Sequence, residues 1–235
     1  MGDGSRVLVM GGTQGTGELI VHRLLDEGYR VRVLARTPEK AERKYGDRVE
    51  IVAGDVTLPE SLPPAVSEID HLILTVGIPH RIASRSAVRE TVHDGTLNSI
   101  RAAHDAGMRG RFLYMSALGT TRWSVLGFLL DMIKGRTLRH RRKVEEELRR
   151  SELTHTIIHA GILNDHPPGR HPVEISQQGY ALRPRFRIAR ADVAEVFVRA
   201  LSSPHAANTT MDAVWARGGD PGSIDEQLSR LVPDR

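Results

Sequence analysis

Residues 7–25, VLVMGGTQGTGELIVHRLL, decide how this chain is read. An apolar run from Val7 to Met10 breaks into four glycines, Gly11, Gly12, Gly15 and Gly17, and a second apolar run follows. In that second run Ile20, Val21, Leu24 and Leu25 recur at helical spacing, and Gly28 stands where a left-handed cap closes a helix. A strand, a glycine turn and a helix in succession aim backbone N–H groups and the positive end of a helix at one point. Side chains on the turn would block approach to it. The group that fits is the pyrophosphate of a dinucleotide. The glycines read G-x-x-x-G-x-G, not the commoner G-x-G-x-x-G, because Ile20 stands where that pattern needs its last glycine.

Outward from this stretch, β-branched runs alternate with helical patterns. VRVLAR (31–36), VEIVAG (49–54), HLILTV (71–76), RFLYMS (111–116) and HTIIHA (155–160) read as strands. The alternation predicts an α/β fold, a Rossmann-like doubly wound parallel sheet. Thr37-Pro38 marks a helix start, with Thr37 as cap and Pro38 in the first turn. Further helices are predicted over 89–106, 191–203 and 223–232, with a last strand in TMDAVWARG (210–218). SVLGFLLDMIKG (124–135) reads as a short buried helix or a lid over a substrate, and NDHPPGRHP (164–172) as a loop, either near the ligand or plainly on the surface. The 235 residues suit a single domain. Segments of about 120–142 and 162–187 would form its small C-terminal substrate-binding portion.

Composition narrows the function. With 40% hydrophobic residues and no apolar run approaching ~18, nothing spans a membrane. The opening MGDGSR lacks the features of a secretion signal. Zero cysteines exclude disulfides and thiolate catalysis and fit a reducing compartment, so the expected location is cytoplasmic. The net charge is +4, and the densest basic cluster, RTLRHRRK (136–143), has no interleaved aromatics; it reads as a solvated helix face, with a functional anion or nucleic-acid patch as the alternative. Eleven histidines show no H-E-x-x-H spacing, so no metal is expected. MSALG around Ser116 is not the G-x-S-x-G of a hydrolase. The expected partner is a small-molecule substrate, with no nucleic acid and no membrane; a homodimer is left open.

About 20 residues beyond the glycines an NAD site would place an acid on the ribose; this chain has Arg36, whose guanidinium suits the 2′-phosphate of NADP, with Thr37 adding donors. Asp55 in AGDV either accepts from the adenine amino group or caps a turn, and Thr75, Val76 and Gly77 end the fourth strand where the ribose passes.

These segments together resemble the atypical short-chain dehydrogenase/reductases, in particular the NmrA-like NAD(P)-binding group, over nearly the whole chain. VLVMGGTQGTG is similar to the family's Gly-Ala-Thr-Gly-Gly-Thr-Gly turn, with Gln14 replacing a glycine. RVLARTPEKA, the GDV after the third strand, DGTLNSIRAAHDAGMRGRFLYMSALG, KVEEELRRSELTHTII and IARADVAEVFVRAL follow in family order. The resemblance implies that Gly11, Thr13, Gln14, Gly15, Thr16, Gly17, Val56 and Gly161 line NADP(H) together with the residues above. It gives Ser116 the role of binding or polarising a carbonyl, and Lys143 that of holding the nicotinamide ribose, unless Lys143 is one more charge on a basic helix. The proton-donating tyrosine expected four residues before the lysine is Arg139, and the Arg-Pro-Gly after the sixth strand is His159-Ala160-Gly161. His159 is therefore a proton donor or a structural histidine, while Tyr114 and Tyr180 are weaker candidates. The implied function is hydride transfer from NADPH to a small cyclic or conjugated acceptor. Two rivals stand beside it: an NADP-binding sensor without turnover, and an isomerase or cyclase that retains the cofactor.

Overall fold

The computed structural model describes residues 4–78, 84–133 and 135–234. Met1–Asp3, from the opening MGDGSR, and Lys134, from the stretch 124–135, lie outside the described residues.

The six strands read from the sequence form as β1 (Arg6–Met10), β2 (Arg30–Ala35), β3 (Glu50–Ala53), β4 (His71–Leu74), β5 (Arg111–Ala117) and β6 (Thr154–Ala160). Three short strands, β7 (Ile162–Asn164), β8 (Val173–Ser176) and β9 (Arg187–Ala189), precede the last, β10 (Thr209–Trp215). The main sheet runs β3-β2-β1-β4-β5-β6-β10-β8, parallel except where β8 meets β10. β7 and β9 pair separately. The strand order reverses between β1 and β4, which opens a crevice beyond their C-terminal ends, the place where open α/β sheets bind ligands.

Both sheet faces are covered, which is why the central strands are almost uniformly apolar. On one face Val7, Val9, Ile73, Leu113 and Ile158 pack against α1 (Gly15–Asp26), α2 (Pro38–Tyr45) and, later in the chain, α8 (Arg190–Ser202). On the other, Leu8, Met10, Leu72, Leu74, Phe112, Tyr114 and Ile157 meet α3 (Pro63–Val66), α5 (Gly95–Asp105) and α7 (Thr137–Arg150). The helix read over 89–106 starts earlier, as α4 (Arg85–Val88), and passes through a π turn at Arg89–Asp94 before α5. α6 (Val125–Ile133) and α9 (Ile224–Leu228) complete the set.

Several readings change. The segment 162–187 holds β7, β8 and the start of β9, because their backbone groups find partners in β9 and β10 that only the tertiary fold supplies. The helix in 124–135 is not buried: within α6 only Gly127 is, while Val125, Phe128, Leu129, Met132 and Ile133 are exposed. Gly28 does adopt a left-handed conformation after α1, at φ +84°. Pro38 opens α2, but the Thr37 side chain caps nothing.

Candidate active site

The glycine turn lies at the reversal of strand order, between the ends of β1 and β4. Gly11 has φ +93°, and a Cβ on it would stand 2.8 Å from Thr75 Oγ1. A Cβ at Gly17 would stand 2.1 Å from the Gly11 carbonyl oxygen, so α1 approaches β1 more closely than any side chain permits. Gln14, the residue before α1, makes no side-chain cap bond, which leaves the first-turn N–H groups to an outside acceptor. Gln14 and Gly15 are exposed, Thr13 is half-buried, and the buried Thr16 Oγ1 has no hydrogen-bond partner among the described residues. Arg190, first residue of α8, brings its Nε to 3.9 Å from a Cβ built on Gly15. A bare helix N-terminus, a glycine floor and a flanking guanidinium fit a pyrophosphate.

Next to this cradle, Arg36 follows β2 with its side chain 75% exposed, and Nη1 lies 3.9 Å from Asp55 Oδ2. Asp55 Oδ1 accepts from Thr57 N at 2.9 Å and Thr57 Oγ1 at 3.0 Å, so Asp55 caps a turn as well as facing Arg36. Val56 is buried. Thr75 is also buried and donates towards the carbonyls of Met10 and Gly11, tying the end of β4 to the glycine turn; Gly77 just beyond is exposed. Gly161 is buried at the end of β6, where a Cβ would stand 3.0 Å from Phe186 O, so close packing accounts for that glycine.

At the same end of the sheet the register places Ser116 of β5 beside His159 of β6, and His159 beside Asp212 of β10. All three lie on the α7 face by strand alternation, and Glu145 of α7 descends onto the row. Ser116 Oγ donates to Glu145 Oε1 at 2.5 Å, and the same oxygen lies 3.1 Å from His159 Nε2. His159 Nδ1 is 3.2 Å from Asp212 Oδ1, while Asp212 Oδ2 accepts from Tyr180 N at 2.8 Å. Glu145, His159 and Asp212 are each 1% exposed, which makes this a buried charged row. Burial alone pulls the imidazole pKa down; hydrogen bonds to Asp212 and Glu145 outweigh it and raise it to about 9. Burial likewise works to raise Glu145, but His159 and Ser116 hold it below the ordinary carboxylate range. At neutral pH His159 is thus an imidazolium between two carboxylates. One side of the row opens on a cleft of about 470 Å³, lined by His159 and Asp212 together with Arg149, Thr210, Gln177 and Asp234.

Residues 11–204 match the model of a protein family described as NAD(P)H-binding. The chain belongs to that family. Sanguinarine reductase of Eschscholzia californica is 29% identical over 96% of the chain and 94% of that protein. Photosystem II assembly factor Ycf39 of a Synechocystis strain is 30% identical over 96% of the chain and 67% of that protein. A putative NAD-dependent epimerase/dehydratase from Bacillus halodurans shares the fold, with a TM-score of 0.83 and 23% identity over 97% of this chain and all of that one. The fold and cofactor class expected from the short-chain reductase resemblance are those of this NAD(P)H-binding chain.

The structure brings Ser116 to the C-terminal end of the sheet, but Lys143 is exposed on the outer side of α7. The inward cation is Arg141, which donates to Met115 O, lies 3.4 Å from the Tyr114 hydroxyl and sets Nη2 4.0 Å from a Cβ built on Gly77. Tyr114 is buried beneath that guanidinium, and Tyr180 donates its hydroxyl to Glu174 at 2.5 Å, so neither phenol is free. Arg141, Glu145, Asp212 and Arg190 are candidate site residues that sequence reading missed. A signal for two of them was present: Val144 and Leu148 mark the buried track of α7, and residues three apart from these are Arg141 and Glu145.

Proposed function

We propose that the protein is an NADP-dependent reductase of the atypical short-chain type, which delivers a hydride to a small cyclic or conjugated acceptor such as a quinone, flavin, enone or ketone. The observation that carries this reading is Ser116, set at the cofactor end of the sheet and hydrogen-bonded to a buried imidazolium through one carboxylate oxygen. A bound reduced nicotinamide supplies the hydride. Gly11 to Gly17 and Arg190 hold the pyrophosphate, and Arg36 with Thr37 binds the 2′-phosphate. Arg141 of α7, whose guanidinium reaches toward Gly77 beyond β4, takes the ribose-holding role that the resemblance gave to Lys143.

As negative charge develops on an acceptor oxygen, the Ser116 hydroxyl turns from Glu145 Oε1 to that oxygen and gives up its proton, which His159 replaces by way of Glu145 Oε1, the atom that both donors share. His159 recovers its proton from water in the cleft beside Arg149 and Asp212. This row stands in for the missing tyrosine, and acceptors that need no protein proton react by orientation alone. We place the protein in the cytoplasm. The sensor reading keeps support from the likeness to an assembly factor.

Two substitutions test this proposal. Arg36→Ala is expected to raise the Kd for NADPH by ~10-fold or more with little effect on NADH, since it removes charge-assisted bonds to one phosphate; equal losses for both cofactors would contradict the NADP assignment. Ser116→Ala is expected to lower kcat for a carbonyl acceptor by ~100-fold. Unchanged kcat would remove the hydroxyl from the chemistry.

A further inference from the structure

α6 carries a surface that the reductase reading does not use. Val125, Phe128, Leu129, Met132 and Ile133 recur at i, i+3, i+4, i+7 and i+8, a stripe roughly 140° wide at ~100° per residue. They are 49% to 79% exposed, and Trp123 just before the helix is 68% exposed. The opposite side of the helix is already docked: Gly127 lies against Leu138 and Leu182, and Ser124 Oγ donates to Leu182 O at 2.8 Å. The apolar stripe therefore faces away from the protein, not down onto a substrate, which is at odds with the lid reading of this segment.

The charge around the stripe indicates what covers it. From Arg122 to Lys143 the sequence holds seven Lys and Arg against one acid, Asp131. That acid is spent inside the fold, where Oδ1 accepts from Leu138 N at 2.6 Å. Arg122, Arg136, Arg139 and Lys143 are exposed and form no ion pair among the described residues. Beside the turn between α6 and α7 a cleft of about 480 Å³ adds Arg85 and Arg89, with Glu90 and Asp94 as the acids there. A two-fold contact of this face with itself would bring two such cationic clusters together, which disfavours a second copy. Exposed Trp, Phe and Leu bordered by Lys and Arg form the pattern of a helix that lies in a membrane interface.

We propose that α6 docks the protein on a bilayer with anionic headgroups: the Trp123–Ile133 stripe enters the interface, and the cations around the α6–α7 turn hold the headgroups. No spanning segment is required, and no helix among the described residues is long and apolar enough to cross a membrane.

Co-sedimentation of the full chain with phosphatidylcholine vesicles, with and without phosphatidylglycerol, tests this directly. Binding is expected only with phosphatidylglycerol and is expected to fall steeply as salt screens the contact. The double variant Phe128→Asp with Leu129→Asp is expected to bind those vesicles more than ~10-fold more weakly while still binding NADPH. If it fails to fold, Arg122→Glu with Arg139→Glu provides the same test through charge. Equal binding to both vesicle types, or to neither, would overturn the proposal. So would a concentration-dependent dimer that the double variant abolishes, because the stripe would then belong to a second copy.

Discussion

Gly17→Ala is expected to raise the Kd for NADPH at least ~100-fold, a loss of about 2.7 kcal/mol. The added methyl would stand 2.1 Å from Gly11 O, 2.5 Å from Thr75 Oγ1 and 2.8 Å from Gly11 C. Two of these three are backbone atoms, so no side-chain rotation relieves the clash. α1 must back away from β1 and β4 by about 1 Å, and its first-turn N–H groups move with it; a displacement of that size removes most of the benefit of preorganised donors. The same overpacking costs the fold ~1–3 kcal/mol. A fluorescence titration of NADPH, run beside a urea melt, separates the two effects. Unaltered affinity in a folded variant would show that the glycine turn is a packing device and that the dinucleotide binds elsewhere.

The second large effect concerns the buried row. His159→Leu leaves Glu145 and Asp212 buried without the cation between them, and breaking such a pair costs ~3–5 kcal/mol. Against a typical total of ~5–15 kcal/mol the loss is severe and should appear as a lower urea midpoint. The pH dependence has a definite sign. The folded pKa of His159 is raised to about 9 from 6.5. Its stabilising contribution is therefore complete below about 6.5 and is lost as pH rises through about 9. Glu145 is shifted down from 4.5, so its contribution is present above 4.5 and disappears as acid protonates the folded carboxylate. Wild-type protein should lose stability steadily from about pH 6.5 to above 9, and His159→Gln, which removes the titrating group at similar size, should flatten that slope. Parallel pH curves for the two proteins would show that His159 is not held as an imidazolium.

Much of this architecture is legible in the sequence because the doubly wound fold writes itself locally. Each central strand is buried on both faces and reads as an apolar run, and the glycines at 11 and 17 mark where α1 closes on β1. β7, β8 and β9 are only three or four residues long, lie among prolines and arginines, and owe their pairing to segments tens of residues away, so no local period announces them. The buried charged row is hidden for a similar reason. His159 and Asp212 are 53 residues apart and become neighbours only when β10 pairs with β6. On α7 the basic run obscures the inward track: Lys143 stands out as a lysine, but Val144 and Leu148 turn Arg141 and Glu145 to the sheet and leave Lys143 in solvent. α6 misleads in the opposite sense, because an apolar segment reads as core until the fold shows its outer side bare.

The central claim is that a dinucleotide site and a proton-delivering row act together as a reductase. Its most direct test is NADPH absorbance followed with wild-type protein and a set of quinones, flavins, conjugated enones and ketones. Cofactor oxidation is expected with at least one of these classes; tight NADPH binding without oxidation by any of them would overturn the reductase assignment and leave a sensor in its place.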